Sequence, residues 1–453
     1  MPRPSWNGSC VKSSKAALLD SRVKAEWDAL QDVVIHRPGT EMFFGLIEPF
    51  AFLYERAFNM DEAIHEHREL EHALELTGVR VHRLKHLAIK LAREDPELVG
   101  MLTKYARGIV KFEGPAAEVK RARREFERNL PELGVETIFS VLVFRPSIRL
   151  DQKRGVRMMY PRVQLDVPLA NLFFMRDQQV ASDLGLIVGR MSKPQRRMEP
   201  DITSTILEMA GARIVNRVKA PGTFEGGDFI PAGKLAMIGI GDRTNLNGAS
   251  QVLRRGTNFE EVAAIHQPAH PLIPGDEPDP MINMHLDTYL NFPGKNIAVG
   301  CIPLLKRARV EVYRRSSLGH YKRMSKTPNL YEYLMGHRFT IVPITTLEQM
   351  CYASNFLCVK DHSILAIEVE KVVKKVLRNL EAKALADPHR YRALLEEARK
   401  DLARLKQSDQ FFPHKREFQE LSIDVTSLQL QEITGGYGGI RCMTCVLNRK
   451  PSN

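Results

Sequence analysis

A glycine-rich segment leads into two cysteines near the end of the chain. The sequence "GGYGGIRCMTC" runs from Gly435 to Cys445. The C-x-x-C spacing of Cys442 and Cys445 also occurs in zinc and redox sites, but zinc needs a second ligand pair at matching spacing, and a redox pair usually opens a helix of a thioredoxin-like unit. Cys351 and Cys358 are spaced poorly for zinc, and no thioredoxin-like pattern surrounds Cys442. The segment therefore indicates a nucleophilic thiol on a glycine-rich loop that can hinge over a ligand.

Two other segments contain acids and a histidine that could assist such a thiol. The sequence "NMHLDTYLNF" has the pattern of a strand, in which His285 and Asp287 would point to the same face. In "TFEGGDF", Glu225 and Asp228 lie on either side of two glycines that permit a tight turn. Taken alone, the two segments are more simply explained by a histidine satisfied by a carboxylate at a sheet edge and by a plain surface turn.

A third acidic segment is "NLFFMRDQQ", in which Asn171, Arg176 and Asp177 lie around an apolar run. Alone, it could be the polar end of a buried strand. A cysteine, a histidine and several carboxylates together suit a permanently cationic substrate, because guanidinium offers five donors in a planar fork that carboxylates accept bidentately. Burying that cation without acids would be very costly. The combined set therefore favours a guanidino group as the target of the thiol.

Short apolar strand candidates alternate with helical patterns along the chain. A clear helical pattern is "MDEAIHEHRELEHALELTG". The strand candidates are "DVVIHRP", "VRVHRL", "LGLIVGR", "KLAMIGIG", "MHLDTYLNF", "FTIVPI" and "NFLCV". Alternation of this kind predicts an α/β fold.

Two segments interrupt the alternation. Residues 86–160 contain charged helical sequence, and residues 365–412 contain two helical stretches separated by "DPHR". We predict that both are helical insertions packed on a single α/β domain that spans residues 1–453. The sequence gives no functional account of the second insertion beyond assembly or partner contact.

The composition is that of an ordinary globular protein. Of 453 residues, 43% are hydrophobic and 26% are charged, and six are cysteines, too few for a disulfide scaffold. The net charge of +12 is dispersed over segments of mixed sign, without aromatic interleaving, so a nucleic-acid partner is not expected. The start lacks an apolar signal region, and no apolar run reaches the length of a membrane span, so we expect free thiols, no membrane partner and a cytoplasmic location.

The motifs, taken in order, resemble those of arginine deiminase, a member of the guanidino-group-modifying superfamily. The ordered motifs are "NLFFMRD", "FEGGD", "GDRT", "MHLDT" and "GGIRCMTC", and the early "VVIHRPGTE" and "EAIHEHRELEHALELTGVRV" are similar too. The resemblance covers most of the chain apart from residues 365–412. It implies a pentein fold, which is a five-bladed pseudo-symmetric α/β propeller, with residues 86–160 as the insertion after the first blade.

The resemblance also implies an activity, which is hydrolysis of L-arginine to L-citrulline and ammonia without metal or organic cofactor. It assigns Cys442 as the nucleophile, Asp177 and Asp287 as the acids that hold the guanidinium, and Glu225 with His285 as the proton-transfer pair. It assigns Asn171, Arg196 and Arg243 to binding of the substrate carboxylate. Asp228 is a further expected substrate-binding residue. A covalent thiouronium on Cys442 and a homo-oligomer, dimeric or larger, are further expectations.

Three positions depart from the family pattern. Met175 stands where the family has threonine, and Arg441 precedes the nucleophile where some relatives have histidine. Tyr437 stands where some relatives carry an arginine in the gating loop, so contact between this loop and the substrate carboxylate is not predicted. Because acids and burial both disfavour a thiolate, we expect the pKa of Cys442 at or above its ordinary value of ~8.5.

Other functions remain compatible with the sequence. Agmatine lacks the carboxylate that Arg196 and Arg243 are expected to bind, so an agmatine deiminase is less favoured. An amidinotransferase would pass the amidino group to an amine, and an arginine dihydrolase would yield ornithine and two ammonia molecules. A non-enzymatic arginine sensor or basic RNA-associated protein is disfavoured because every residue matched to catalysis is retained.

Overall fold

Strands and helices alternate along the chain, as the sequence predicts for an α/β fold. The computed structural model describes residues 19–152, 159–275, 282–325 and 327–451. The strands are β1 (Ala29–Ile35), β2 (Arg80–Arg83), β3 (Lys111–Glu113), β4 (Pro146–Gln152), β5 (Met159–Leu165), β6 (Gln179–Ala181), β7 (Leu186–Val188), β8 (Ile214–Arg217), β9 (Phe229–Ala232), β10 (Leu235–Ile240), β11 (Glu261–His266), β12 (Leu290–Gly294), β13 (Ile297–Cys301), β14 (Arg309–Arg315), β15 (Tyr321–Arg323), β16 (Thr340–Ile344), β17 (Leu357–Lys360), β18 (Ser363–Ile367), β19 (Asp424–Leu428) and β20 (Cys445–Lys450). The α-helices are α1 (Met42–Ile47), α2 (Met60–Leu76), α3 (Leu84–Glu94), α4 (Pro96–Ile109), α5 (Ala116–Asn129), α6 (Val135–Phe144), α7 (Glu199–Met209), α8 (Leu246–Arg255), α9 (Ile302–Arg307), α10 (Leu330–Gly336), α11 (Thr346–Met350), α12 (Val369–Ala386), α13 (Pro388–Ser408) and α14 (Arg416–Glu420).

One three-strand pattern recurs among the described sheets. A central strand pairs antiparallel with one neighbour and parallel with another that follows a helix, since a parallel partner can be reached only through a crossover. The sets with this pattern are β20–β1–β2, β6–β7–β8, β9–β10–β11, β12–β13–β16 and β17–β18–β19. The third set is extended by β14 and β15. These sheets are separate within the described residues, and the five-bladed propeller stays a prediction.

The two ends of the chain share the first of these sheets. Strand β20 pairs antiparallel with β1, so Cys445 lies opposite Val34. Strand β20 starts three residues after the predicted nucleophile Cys442. The thiol is therefore carried on a short connection into a buried strand, which limits how far it can move.

Helix α2 shows how local sequence signals fix an element that supports the site. Its N-cap Asn59 accepts backbone N–H groups at the start of the helix, as an asparagine cap should. About two turns later, the buried carboxylate of Glu66 accepts the N–H groups of Gln431, Glu432 and Ile433 at distances of 2.8–3.0 Å. This helix therefore holds the segment that leads into the glycine-rich loop.

The two segments predicted as helical insertions differ in content. Residues 86–160 include most of α3, then α4, α5 and α6. They also include β3, β4 and the first two residues of β5, which form a small sheet that the sequence did not indicate. In residues 365–412, positions 365–367 belong to β18, and α12 and α13 follow. Asp387 caps α13 through the N–H of Arg390, and Pro388 opens it, so the predicted break is confirmed. That both segments are insertions stays a prediction.

The predicted strand in "NMHLDTYLNF" is wrong in its first half. Residue His285 is extended, but Leu286–Thr288 form a turn of 3₁₀ helix, and the strand begins only at Leu290. The bend is fixed by two hydrogen bonds, because Asp228 Oδ1 accepts the N–H of Leu286 at 3.0 Å and the Thr288 hydroxyl donates to the His285 carbonyl at 2.6 Å. Strand alternation therefore does not explain why His285 and Asp287 reach one site.

Buried apolar side chains form two clusters. The larger one joins residues of β1, β20, both helical segments and the sheets of β12 and β17. The smaller one lies around β9, β10 and β11 and includes Phe224 and Phe229. Within the ranges that the structure describes, none of the helices is both long enough and apolar enough to cross a membrane.

Candidate active site

The predicted nucleophile lies under the glycine-rich loop. The Cys442 side chain is buried, and Tyr437 in the loop has a left-handed backbone with φ of 79°. A Cβ atom on Gly438 would lie 2.9 Å from Cys442 Cβ and 2.6 Å from the ring of Phe174, so only glycine fits there without displacement. Burial, together with the charges of Asp287 and Asp177, raises the pKa of the Cys442 thiol, in the direction that the sequence predicts.

His285 and Glu225 form the predicted pair. His285 Nε2 lies 3.0 Å from Glu225 Oε2, and its Nδ1 lies 3.8 Å from Asp177 Oδ1. Burial alone would lower the pKa of His285, but Asp177, Glu225 and Asp228 raise it to about 9. Burial would raise the pKa of Glu225, but Arg243 and His285 lower it to about 2. At neutral pH the pair is therefore an imidazolium and a carboxylate.

The two acids predicted to hold a guanidinium each keep one carboxylate oxygen without a hydrogen bond from the described residues, and the one on Asp177 has only the charge of His285 nearby, at 3.8 Å. Asp177 Oδ2 accepts from Arg196 at 2.5 Å, and Asp287 Oδ2 accepts from Arg441 at 2.8 Å. The Oδ1 atoms of both acids are buried and have no hydrogen-bond partner among the described residues. Both carboxylates also act on the Cys442 thiol through their charge. A buried acceptor without a donor is costly, so this arrangement is suited to a cationic ligand with several donors beside the thiol.

The Arg196 guanidinium binds groups of the protein itself. Its guanidinium donates to Asp177, to Glu199 at 2.8–3.1 Å and to the carbonyl of Phe174 at 3.1 Å. All of its nitrogen atoms are thus engaged within the protein. Its predicted contact with the substrate carboxylate stays a prediction, and in this structure Arg196 orients Asp177.

Arg243 has donors to spare. Its side chain is buried, and its Nη1 lies 3.9 Å from Glu225 Oε2 while its Nε lies 3.3 Å from Asp242. These distances allow charge attraction, but Nε and Nη1 lack an aligned hydrogen-bond partner in the described part of the chain. A buried cation with unused donors is suited to an anionic group of a ligand.

The other two predicted binding residues contact the protein itself. Asn171 Nδ2 donates to the carbonyl of Phe52 at 2.6 Å. Asp228 Oδ1 accepts from Gln267 Nε2 and from the N–H of Leu286, both at 3.0 Å, and burial raises the pKa of Asp228 to about 6. Asp228 therefore shapes the backbone next to His285, and direct substrate contact stays a prediction for both residues.

Sequence reasoning missed two buried residues that hold the nucleophile segment. Asn355 Oδ1 accepts the N–H of Cys442 at 3.0 Å. Glu26 accepts from Arg441 Nη2 at 2.7 Å, and Arg441 Nη1 in turn holds Asp287. Neither residue lies in a motif, and each is remote in sequence from its partner, so no local pattern could have indicated it.

Three ligand atoms of Asp177, Glu225 and His285 lie within 4.8 Å of one another, a spacing that could hold a metal ion. The chemistry of the set opposes this, because a metal needs a neutral imidazole lone pair, whereas the pKa of His285 is raised to about 9 and its Nε2 already contacts Glu225. The cysteines that the structure describes are free, as predicted, and all are buried; they are Cys301, Cys351, Cys358, Cys442 and Cys445.

Comparison with known proteins identifies the family of this chain. The sequence model of the family described as arginine deiminase matches residues 50–449. The arginine deiminase of Halobacterium salinarum is 25% identical over 501 aligned positions, which cover 94% of this chain and 96% of that protein. Arginine deiminase 1 of Staphylococcus epidermidis is 26% identical over 59% of this chain and 66% of that protein. Among solved structures, DDAH from Pseudomonas aeruginosa in complex with citrulline matches 92% of this chain and 99% of its own at 14% identity, with a TM-score of 0.47. Because the family model matches most of its length, this chain with a buried thiol and neighbouring acids belongs to the arginine deiminase family.

Proposed function

We propose that this enzyme hydrolyses free L-arginine to L-citrulline and ammonia through a covalent thiouronium on Cys442. The observation that carries the proposal is the pair of unpaired carboxylate oxygens, one on Asp177 and one on Asp287, beside that buried thiol. A guanidinium can donate to both oxygens at once and place its carbon next to the sulfur.

The other end of the substrate is recognised by Arg243. Its buried guanidinium has two nitrogen atoms without aligned partners among the described residues, and a carboxylate can accept from them. This contact distinguishes an amino acid from a decarboxylated guanidine such as agmatine. Free arginine is therefore the proposed substrate.

Substrate binding also activates the nucleophile. Burial and two carboxylates keep the Cys442 thiol protonated in the free enzyme. The bound guanidinium brings a fixed positive charge within a few Å of the sulfur, which favours the thiolate, and exclusion of water strengthens the effect. The thiol proton leaves to solvent as the substrate binds.

The first chemical step forms the carbon–sulfur bond. The thiolate adds to the guanidinium carbon and gives a neutral tetrahedral adduct. His285, charged at neutral pH, donates its proton to a terminal nitrogen, and the carbon–nitrogen bond breaks to release ammonia. A planar, cationic alkylthiouronium remains on Cys442, and His285 is now neutral.

The second step hydrolyses this intermediate. Neutral His285 takes a proton from a water molecule, which adds to the thiouronium carbon, and Glu225 stabilises the imidazolium that forms. The carbon–sulfur bond then breaks, the hydroxyl proton of the adduct passes to the departing sulfur, and neutral citrulline leaves with Cys442 restored as a thiol. Two smaller barriers replace one large barrier, as in other covalent mechanisms.

The direct test incubates the purified protein with L-arginine and measures ammonia and the amino-acid product by mass. Stoichiometric citrulline and ammonia are expected, with no product from the Cys442→Ala variant. Ornithine with two ammonia molecules would indicate a dihydrolase, and product that forms only when an amine acceptor is added would indicate an amidinotransferase. Either of these results, or no reaction with arginine, would overturn the proposal.

A further inference from the structure

Asn355 accepts hydrogen bonds from three backbone N–H groups of the nucleophile segment. It is fully buried just before β17, 87 residues from Cys442 in sequence. Its side-chain oxygen accepts the N–H of Gly439 at 3.2 Å and that of Cys442 at 3.0 Å. Its main-chain carbonyl accepts the N–H of Arg441 at 3.0 Å. One residue therefore satisfies the backbone N–H of Cys442 and those of two residues that precede it.

The remaining polar atom of this side chain is a donor without a partner. Asn355 Nδ2 is buried and makes no hydrogen bond to any described residue. Such a group is costly unless a partner appears during function. The Asn355 side chain lowers the pKa of Cys442 against the larger opposing effects of burial, Asp287 and Asp177. Nδ2 is its only donor, and a thiolate accepts hydrogen bonds far better than a neutral thiol does.

Asn355 is itself held rigidly. The Asn291 side chain on β12 donates to the carbonyls of Ser354 at 2.9 Å and Phe356 at 2.8 Å, the residues on either side of Asn355. The Ser354 hydroxyl donates to the carbonyl of Asp287 at 3.0 Å. This framework fixes the backbone of Asn355 relative to an acid of the site, so its side chain has little freedom to move.

We propose that Asn355 is a further catalytic residue, whose side-chain N–H donates to the Cys442 thiolate while its side-chain oxygen fixes the Cys442 backbone. The role in turnover rests on the proposed function, because the thiolate is the nucleophile there. Stabilisation of the thiolate is a property of the free protein and can be measured without any substrate.

The test measures the rate at which iodoacetamide, a neutral reagent, alkylates Cys442 from pH 6 to 11, with the modified cysteine identified by mass. Asn355→Leu removes both the side-chain donor and the side-chain acceptor and keeps a side chain of similar size. Asn355→Asp removes the donor but keeps an acceptor for the N–H groups of Gly439 and Cys442. We expect the thiol pKa to rise by about one unit or more in both variants, which slows alkylation about tenfold at a pH below the pKa. Asn216→Leu on β8, which removes a side-chain hydrogen bond to the main-chain carbonyl of Gln251 on α8, is the matched control and should not shift the profile.

Two outcomes would overturn the inference. One is a thiol pKa in Asn355→Leu equal to that of the unmodified protein. If Asn355→Leu does not fold, the inference is instead overturned by an unchanged thiol pKa in Asn355→Asp. If the unmodified protein fails to hydrolyse arginine while both variants shift the thiol pKa, the proposed function fails and the assignment of Asn355 stands. With arginine as substrate, both variants should lower kcat by about tenfold and change KM little, because Asn355 has no proposed contact with the substrate.

Discussion

The two sides of the site are held by different forces. On the histidine side, His285 and Glu225 lie against Asp177 and Arg243, so that charges of both signs are buried within a few Å of one another. On the cysteine side, Cys442 itself is held by the neutral side chain of Asn355, and the charge of the neighbouring Arg441 is paired with Glu26 and Asp287. The catalytic histidine is therefore held by direct ion pairs, whereas Cys442 is held by an uncharged group.

The two sides also differ in the protonation states of their catalytic side chains. Neighbouring charges keep His285 protonated up to a pH of about 9 and Glu225 ionised down to about 2. The thiol of Cys442 experiences burial and two acids, which raise its pKa. His285 is thus charged before substrate arrives, whereas in the proposed mechanism the Cys442 thiol becomes charged only when a cation is bound. An enzyme arranged in this way protects its nucleophile from oxidants until substrate is present, because the thiolate is the reactive form.

The largest expected effect is on the cysteine side. Cys442→Ser should lower kcat by at least about 10³-fold, because a neutral hydroxyl is a far poorer nucleophile than a thiolate. Circular dichroism should show an unchanged fold, since the change is nearly isosteric. Turnover within a few-fold of the unmodified protein would mean that the reaction does not pass through this residue.

A smaller effect is expected at Arg243, the residue on the histidine side that is proposed to bind the substrate carboxylate. Arg243→Ala should cost about 1.5–3 kcal/mol of binding to arginine, or about 10–150-fold in kcat/KM, because a charge-assisted hydrogen bond is lost. Agmatine, which has no carboxylate, should be affected much less. The exposed Arg197, which donates to the Ser192 carbonyl, provides the control variant Arg197→Ala. The carboxylate assignment fails if the unmodified protein turns over agmatine as well as arginine.

The charge stored on the histidine side should also appear in stability. The folded pKa of His285 is raised from 6.5 to about 9, so its contribution is complete below about pH 6.5 and is lost as the pH rises through about 9. Thermal unfolding measured from pH 6 to 10 should therefore show a decline towards alkaline pH. The decline should be smaller in His285→Gln, and equal slopes in the two proteins would show that His285 is not held protonated.

The smallest effect is expected at the second cysteine. Cys445 lies at the start of β20, where its thiol approaches the carbonyl of Gln179 at 3.8 Å. Cys445→Ser should keep most of the activity, and elemental analysis of the purified protein should find no stoichiometric zinc. Equal losses from Cys442→Ser and Cys445→Ser, or one zinc per chain, would indicate that the two thiols act as a pair.

Much of the secondary structure could be predicted because periodicity is a local property of sequence. The segments "DVVIHRP" and "FTIVPI" form β1 and β16, and the amphipathic pattern from Met60 forms α2. The prediction failed at "NMHLDTYLNF", where a carboxylate 58 residues away binds the backbone and bends it. Tertiary contacts therefore override the local strand pattern where the chain enters the site.

The composition of the site could be predicted, but its internal pairing could not. Residue types and motif order indicated Cys442, His285 and the carboxylates, and the structure brings them together. Arg196 was expected to bind substrate, yet its donors go to Asp177 and Glu199. Which acid an arginine meets depends on packing, which the spacing along the chain does not encode.

The sequence by itself determined the chemistry that is possible here, through one thiol, one histidine and a set of acids, and through glycines such as Gly438 that allow the loop to lie on the thiol. Only the tertiary structure decided which groups keep their charge and which oxygens stay unpaired. The bonds of Asn355 to Cys442 and of Arg441 to Glu26 join residues 87 and 415 positions apart. Burial and contacts over such separations set the pKa values and the open donors and acceptors, because the cost of desolvation and the attraction between charges exist only after the chain has folded.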